Sequence, residues 1–289
     1  MPDWSAIRSQ LTDAGIATKS SANPVPVSGG DISDAWHLAT DDGDVFIKTG
    51  PLSAANMFSA EADGLNEIAG SGSVRVPAVR LSGQTDSTAF IALEWLQLER
   101  PNAAVEACLG EELAAMHRST ADSFGWHRDN AIGLTPQHNE ATDDWVGFYR
   151  EQRLGFQLRL AAENGFGEEL QAQGARLLKR LPVYFDNVAT PVSLLHGDLW
   201  GGNWAAYDGR PVVFDPAVYY GDRETDLALT RLFGGFGPAF YNAYESSWPL
   251  QDGYLERQHL YQLYHVLNHL NLFGSAYLGQ AQRLIKELL

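Results

Sequence analysis

The sequence predicts an α+β protein in two unequal parts, a small β-rich front and a larger, mainly helical back. Three observations carry this. Short apolar stretches separated by turn signals fill the first 95 residues. Helical spacing dominates from residue 102 onward, and the pattern changes at Arg100-Pro101. Taken in order, residues 3–13 form a short amphipathic helix. SGGD at 28–31 and DDGD at 41–44 are turns, and DISDAWHLA and DVFIK flank the second as a hairpin. Residues 53–69 read as a helix opened by Ser53, and VPAVRLSG and TAFIALEWL as two more strands. In the back, helices are expected over 102–119, 140–163, 166–180, 222–232, 236–246 and 254–288. The short strands SLLHG, NWAAY and PVVFD interrupt them. The division expected is 1–95 and 96–289, and the join near 95–101 is where a ligand cleft would lie.

Composition narrows the partners. The formal net charge of −16 repels nucleic-acid phosphates and anionic lipid surfaces, so neither is expected as a partner. No run of about 18 apolar residues is present to span a membrane. The single Cys108 cannot form an internal disulfide, which fits a reducing cytoplasm. Oligomeric state has no signature. Only four lysines occur, Lys19, Lys48, Lys179 and Lys286, so one placed inside a strand invites a reason.

Residues 194–204 read LLHGDLWGGNW, which fits the pattern H-x-D-x-x-x-x-N with Asp198 and Asn203. Phosphoryl transfer asks for an acid to orient a hydroxyl, ligands for Mg²⁺, a cation on the phosphates of ATP and backbone amides over them. Asp198 suits the first task and the Asn203 oxygen the second. Asp215, in VVFDPA, follows Asn203 by 12 residues at a strand end, the spacing of a hairpin returning a second carboxylate to the same metal. Lys48 sits in the alternating strand DVFIK, and Glu61 on the next helix can pair with it. Gly29, Gly30 and Asp31 lie in the turn between two strands, where amides could cover phosphates. The joint order of loop, Lys, Glu, HGDxxxxN and FD is that of protein-kinase-like enzymes. Gly197 replaces the Arg that reads an activation-loop phosphate in protein kinases, and Pro216-Ala217 replaces Phe-Gly. Both point to an unregulated small-molecule kinase.

The chain resembles the fructosamine/ketosamine kinase family, a relative of aminoglycoside phosphotransferases and choline kinases. HGDLWGGNW, FDPAVYYGDRETDLALTRLFGGF, LYHVLNHLNLFGSAYLGQ, FGWHRDNAIGLTPQHN and DWVGFYREQRLGFQL carry the resemblance over nearly the whole length. It implies a two-lobed protein-kinase-like fold and an ATP- and Mg²⁺-dependent kinase acting on the C3 hydroxyl of a ketoamine, free or protein-bound. Elimination of the 3-phosphate would then free the amine, a deglycation. It implies further that Asp198 is the base, that Asn203 and Asp215 hold Mg²⁺, and that Lys48 and Glu61 orient the phosphates. Glu94, Trp95 and Leu96 would form the strip whose backbone meets adenine. Many relatives carry Cys where this chain has Asp31, so thiol control at that loop is not expected here.

On the acceptor side, Trp200 admits two readings, a ring stacked on the sugar or amine and a core tryptophan. His265 and His269 stand four residues apart on a helix but lack the acid of a zinc motif, and His269 is expected to line the acceptor pocket. The acids of GDRETD at 221–226 could attract a cationic amine or stabilise a helix N-terminus. The alternatives carried are a kinase for another cationic acceptor, of aminoglycoside or choline type, and last a pseudokinase binding module. A pseudokinase would lack Lys48, Asp198, Asn203 or Asp215, and all four are present.

Overall fold

The computed structural model describes residues 2–19, 23–27 and 33–289. The turn carrying Gly29, Gly30 and Asp31 therefore lies outside the described residues. Helix α1 (Trp4–Asp13) is capped by Asp3, whose carboxylate accepts from the Ala6 N–H. Strands β1 (Val25–Pro26), β2 (Asp34–Leu38), β3 (Val45–Gly50), β4 (Val79–Gln84) and β5 (Ala89–Glu94) form one antiparallel sheet in the order β1-β2-β3-β5-β4. Period-two alternation splits its side chains between two layers. Val45, Ile47, Phe90 and Ala92 join Ile7 and Leu11 of α1 on one face. Ala89, Ile91 and Leu93 join Phe58, Leu65 and Ile68 of α2 (Ala55–Gly70) on the other. Ser53 does not open α2 through its side chain. It sits inside a single 3₁₀ turn, Leu52–Ala54, that leads into the helix.

The back begins with α3 (Ala103–His117), whose first amides at Ala104 and Val105 bond the Asn102 side chain. A hairpin of β6 (Asn130–Ile132) and β7 (Thr135–Gln137), not foreseen in the sequence, follows. The helix expected over 140–163 starts at α4 (Trp145–Phe148), widens into a π-helical stretch over Tyr149–Gly155 and ends as α5 (Phe156–Glu163). After α6 (Glu168–Arg180) come β8 (Ser193–Leu195), the hairpin β9 (Trp204–Tyr207) and β10 (Arg210–Val213), and β11 (Tyr219–Gly221), which pairs with β8. Helices α7 (Glu224–Leu232), α8 (Pro238–Ser247), α9 (Tyr254–Phe273) and α10 (Leu278–Glu287) complete the back. The single helix expected over 254–288 is two. Gly274, at φ 89° and ψ −164°, ends α9 in a backbone conformation a helix cannot continue.

Two seams tie the β9–β10 hairpin to what precedes it, one to the segment after the strip and one to the front. Glu99 and Ala206 exchange N–H···O bonds of 2.8 and 3.0 Å, and the Val213 N–H bonds the Arg75 carbonyl at 2.9 Å. Leu96, Ala205 and Val212 fill the space between them. The main apolar cluster runs without a break from Phe58 and Leu65 through Val218 and Leu195 to Leu267.

Candidate active site

Residues 196–203, between β8 and β9, make the loop on which the site is built. Its main chain is gripped from below by Asp226 of α7, a carboxylate only 1% exposed. Asp226 Oδ2 accepts from the His196 N–H at 2.7 Å and Oδ1 from the Gly197 N–H at 2.9 Å. The Nε2–H of buried His117 adds a third bond at 3.1 Å, with Nδ1 accepting from the Tyr244 hydroxyl. Burial opposes ionisation of Asp226, but His117, then His196 and the Gly197 amide, hold its carboxyl below the usual range. His196 is the second brace. Burial keeps its imidazole neutral, Nε2–H donates to the Phe214 carbonyl at 3.0 Å, and Nδ1 accepts from the Asp198 N–H at 3.2 Å. One tautomer satisfies both bonds. Gly197 holds φ 81°, and any Cβ there would collide with the Ala217 carbonyl oxygen. That contact, rather than the loss of a regulatory cation alone, explains why no side chain stands between His196 and Asp198.

This bracing sets the functional side chains. The Asn203 amide donates to the Asp198 carbonyl at 2.8 Å and to Asp198 Oδ2 at 3.2 Å, which turns its own oxygen away from Asp198. Lys48 projects from β3 on the α2 side, and its Nζ bonds Glu61 Oε1 at 2.7 Å and Asp215 Oδ1 at 2.6 Å. Burial would lower the Lys48 pKa, but Glu61 and Asp215 outweigh it and hold the ammonium above its ordinary value. Asp198 has no cation within ion-pair distance among the described residues. Burial, then the Asp215 charge, push its carboxyl up to about 7, against the Asn203 hydrogen bond. An acid with its pKa near neutrality suits a general base.

The ten described residues expected in the site line one cleft of about 1310 Å³: Lys48, Glu61, Glu94, Trp95, Leu96, Asp198, Trp200, Asn203, Asp215 and His269. At the strip end, the Glu94 carboxylate is taken up by Arg75 at 2.8 Å and by the Ala78 N–H. The Glu94 and Trp95 amides bond the carbonyls of Ala78 and Asp44. Of the three strip N–H groups, only that of Leu96 has no backbone partner among the described residues, and Leu96 lines the cleft. At the opposite end stand Trp200, 41% exposed, and a cluster that the sequence reading reached only through His269. The His269 ring lies 4.6 Å from Phe233, 5.4 Å from Phe273 and 5.1 Å from Tyr277. Its Nδ1–H donates to the His265 carbonyl, so Nε2 is an acceptor.

Two sequence alternatives close here. The acids of GDRETD are buried and cannot meet an amine at the surface. Asp222 caps the Glu224 N–H, Glu224 pairs with Arg257 in two bonds of 2.7 and 2.9 Å, and Asp226 grips the loop. The signal for Asp226 was an acid set directly against an apolar run, DLAL. His265 is buried, and no cluster of three His, Cys, Asp or Glu fit to hold a metal occurs among the described residues.

The donor set does fit a hard divalent cation such as Mg²⁺. Such an ion takes one or two protein oxygens and completes its shell with phosphates and water. Asn203 and Asp215 offer an amide and a carboxylate oxygen on facing strand ends. Glu61 and Asp215 share the one Lys48 ammonium, and the Asp215 charge also bears on Asp198, so the site carries negative charge that a cation would offset.

Sheet, helical back and interposed cleft define the chain as a kinase-like phosphotransferase. A family model described as fructosamine kinase matches residues 3–289, and the chain belongs to that family. It is 44% identical to a "Probable ketoamine kinase" of Synechocystis, over 91% of this chain and 89% of that one. It is 42% identical to the chloroplastic protein-ribulosamine 3-kinase of Arabidopsis thaliana, over 91% of this chain and 81% of that one. A solved structure from Haemophilus somnus, provisionally named a fructosamine-3-kinase, superposes with a TM-score of 0.89 at 30% identity, covering 99% of this chain and 97% of that chain. An aminoglycoside phosphotransferase, solved with AMP-PNP and hygromycin B, shares the fold alone, at 16% identity, a TM-score of 0.67 and coverage of 98% and 97%.

Proposed function

We propose that this chain transfers the γ-phosphoryl group of ATP to the C3 hydroxyl of a ketosamine, a fructosamine or ribulosamine on a free amine or a protein. The single observation that carries the chemistry is the convergence of Asp198, Asn203, Asp215 and the Lys48–Glu61 pair in one cleft. Asp198 orients the acceptor hydroxyl and takes its proton. Lys48, fixed by Glu61, meets the phosphates, and the adenine lies along the strip against the Leu96 N–H. Asn203 and Asp215 would hold Mg²⁺, which supplies charge neutralisation on the phosphates when bound. Trp200 and the rings around His269 line the acceptor end, where aromatic faces suit the amine of a ketosamine. Family membership favours the ketosamine over an aminoglycoside or choline, because the aminoglycoside likeness reaches only the fold. The lobes are drawn at 1–95 and 96–289, with the strip at their join. Cytoplasmic location rests on the single Cys108. Release of the amine by elimination of the 3-phosphate makes the reaction a deglycation.

Asp198→Asn keeps the shape of the site and removes the base, so turnover should fall about 10²–10⁴-fold while nucleotide binding persists. ATP consumption with fructosyl-lysine, ribulosyl-lysine, an aminoglycoside and choline, followed by NMR location of the phosphate, tests the substrate. Turnover of choline alone would overturn the ketosamine reading, and near-normal activity of the Asp198 variant would overturn the base.

A further inference from the structure

The β6–β7 hairpin lines the cleft at residues 130–133, and its side chains also reach the main chain behind Asp215. Asp215 holds φ 56°, a left-handed conformation costly for a residue with a side chain. Such a residue persists only where its surroundings fix it. The catalytic loop fixes one side: the Phe214 N–H bonds the Asn203 carbonyl at 3.0 Å and the Ala217 N–H bonds the His196 carbonyl at 2.8 Å. The hairpin fixes the other. Gln137 donates to the Ala217 carbonyl at 3.0 Å, and Asn130 donates to the Val218 carbonyl at 2.7 Å.

Both amides are themselves held. The Tyr264 hydroxyl donates to Gln137 Oε1 at 2.9 Å. Asn130 Oδ1 accepts from Gln137 and Asn139 at 2.9 and 3.0 Å. Asn139 Oδ1 in turn accepts from Arg153 at 2.7 Å, and Arg153 also bonds the His138 carbonyl. Arg153 belongs to the π-helical stretch, is fully buried, and has no carboxylate within ion-pair distance among the described residues. Its guanidinium lies 4.1 Å from the Tyr219 ring centre and 4.6 Å from that of Phe148. A buried cation without a counter-ion is costly, and two of its hydrogen bonds go to the chain just after β7. We propose that Arg153, Asn139, Asn130 and Gln137 form a positioning network that fixes residues 215–218 and so sets where the Asp215 carboxylate stands. The four act on the acid through its backbone, by the bonds of Gln137 and Asn130 to the Ala217 and Val218 carbonyls.

The inference rests on the reading that Asp215 holds the metal, and the test separates the two. Mn²⁺ is titrated by EPR into the protein with AMP-PNP bound, for wild type, Gln137→Met, Tyr264→Phe and Asp215→Asn, with a melting curve for each. Gln137→Met keeps the volume and removes the donor to Ala217. It should weaken Mn²⁺ binding about 10-fold or more, as loss of a group behind a metal ligand does. Tyr264→Phe, a milder change that leaves Gln137 in place, should weaken it about 3-fold through one lost hydrogen bond. Folded variants that bind Mn²⁺ as wild type does, with Asp215→Asn clearly weakened, overturn the network and leave the metal reading standing. An unchanged affinity in Asp215→Asn overturns the metal reading, and the network with it.

Discussion

At the scale of the residue, Gly197 is the clearest case of a side chain excluded by its neighbours. It combines positive φ with an Ala217 carbonyl where a Cβ would stand. Gly197→Ala should therefore lose about 2 kcal/mol or more of stability, since overpacking and left-handed strain add. It should also cut turnover more than substrate affinity, because the loop amides on Asp226 shift with it. Urea unfolding alongside steady-state kinetics checks both. The residues of the cleft were legible because phosphoryl transfer restricts both residue type and spacing: HGDxxxxN and FD fixed Asp198, Asn203 and Asp215 on adjacent strand ends. Asp226, Asn130 and Gln137 were not, since each acts through a main-chain amide or carbonyl 29 to 88 residues away, and such pairing leaves no local spacing to read.

At the scale of the element, helices and strands declared themselves where one face is apolar. They misled where backbone geometry overrides periodicity. The stretch 254–288 keeps helical spacing through Gly274, yet the chain breaks there, and the widened turn at Tyr149–Gly155 is invisible to a period of 3.6. The acids at the start of helix α7 were read as attracting an amine or stabilising a helix N-terminus; Asp222 does cap the Glu224 N–H, and all three acids are internal. Glu224 faces Arg257 with both partners about 2% exposed. Removing one partner by Arg257→Met leaves a buried charge and should destabilise by about 3–5 kcal/mol. The double variant Arg257→Met/Glu224→Leu should recover most of it. A double variant as unstable as the single one would show that packing, not the ion pair, dominates.

At the scale of the whole molecule, a net charge of −16 opposes the approach of anions, while the cleft sets the Lys48 ammonium between two carboxylates. Several histidines are buried neutral, His265 most strongly, its imidazole pushed down to about 3 by burial. The sign follows directly. Above about pH 6.5 neither folded nor unfolded His265 binds the proton; below it only the unfolded chain does, so stability falls as pH falls. At about pH 4.5 this one group should remove about 2–3 kcal/mol relative to pH 7. His265→Leu should flatten the slope by that amount in urea titrations at the two pH values, and an unchanged slope would exclude His265 as its source.

The apolar cluster that runs from Phe58 through Val218 to Leu267 has a last consequence, for how far the protein is divisible. Ala89, Ile91, Leu93 and the α2 side chains beneath them are covered partly by groups that arrive after residue 190, so a polypeptide ending at residue 95 would leave them wet. Front and back are thus halves of one cooperative unit rather than modules that could be exchanged, and heat should melt them together in a single transition.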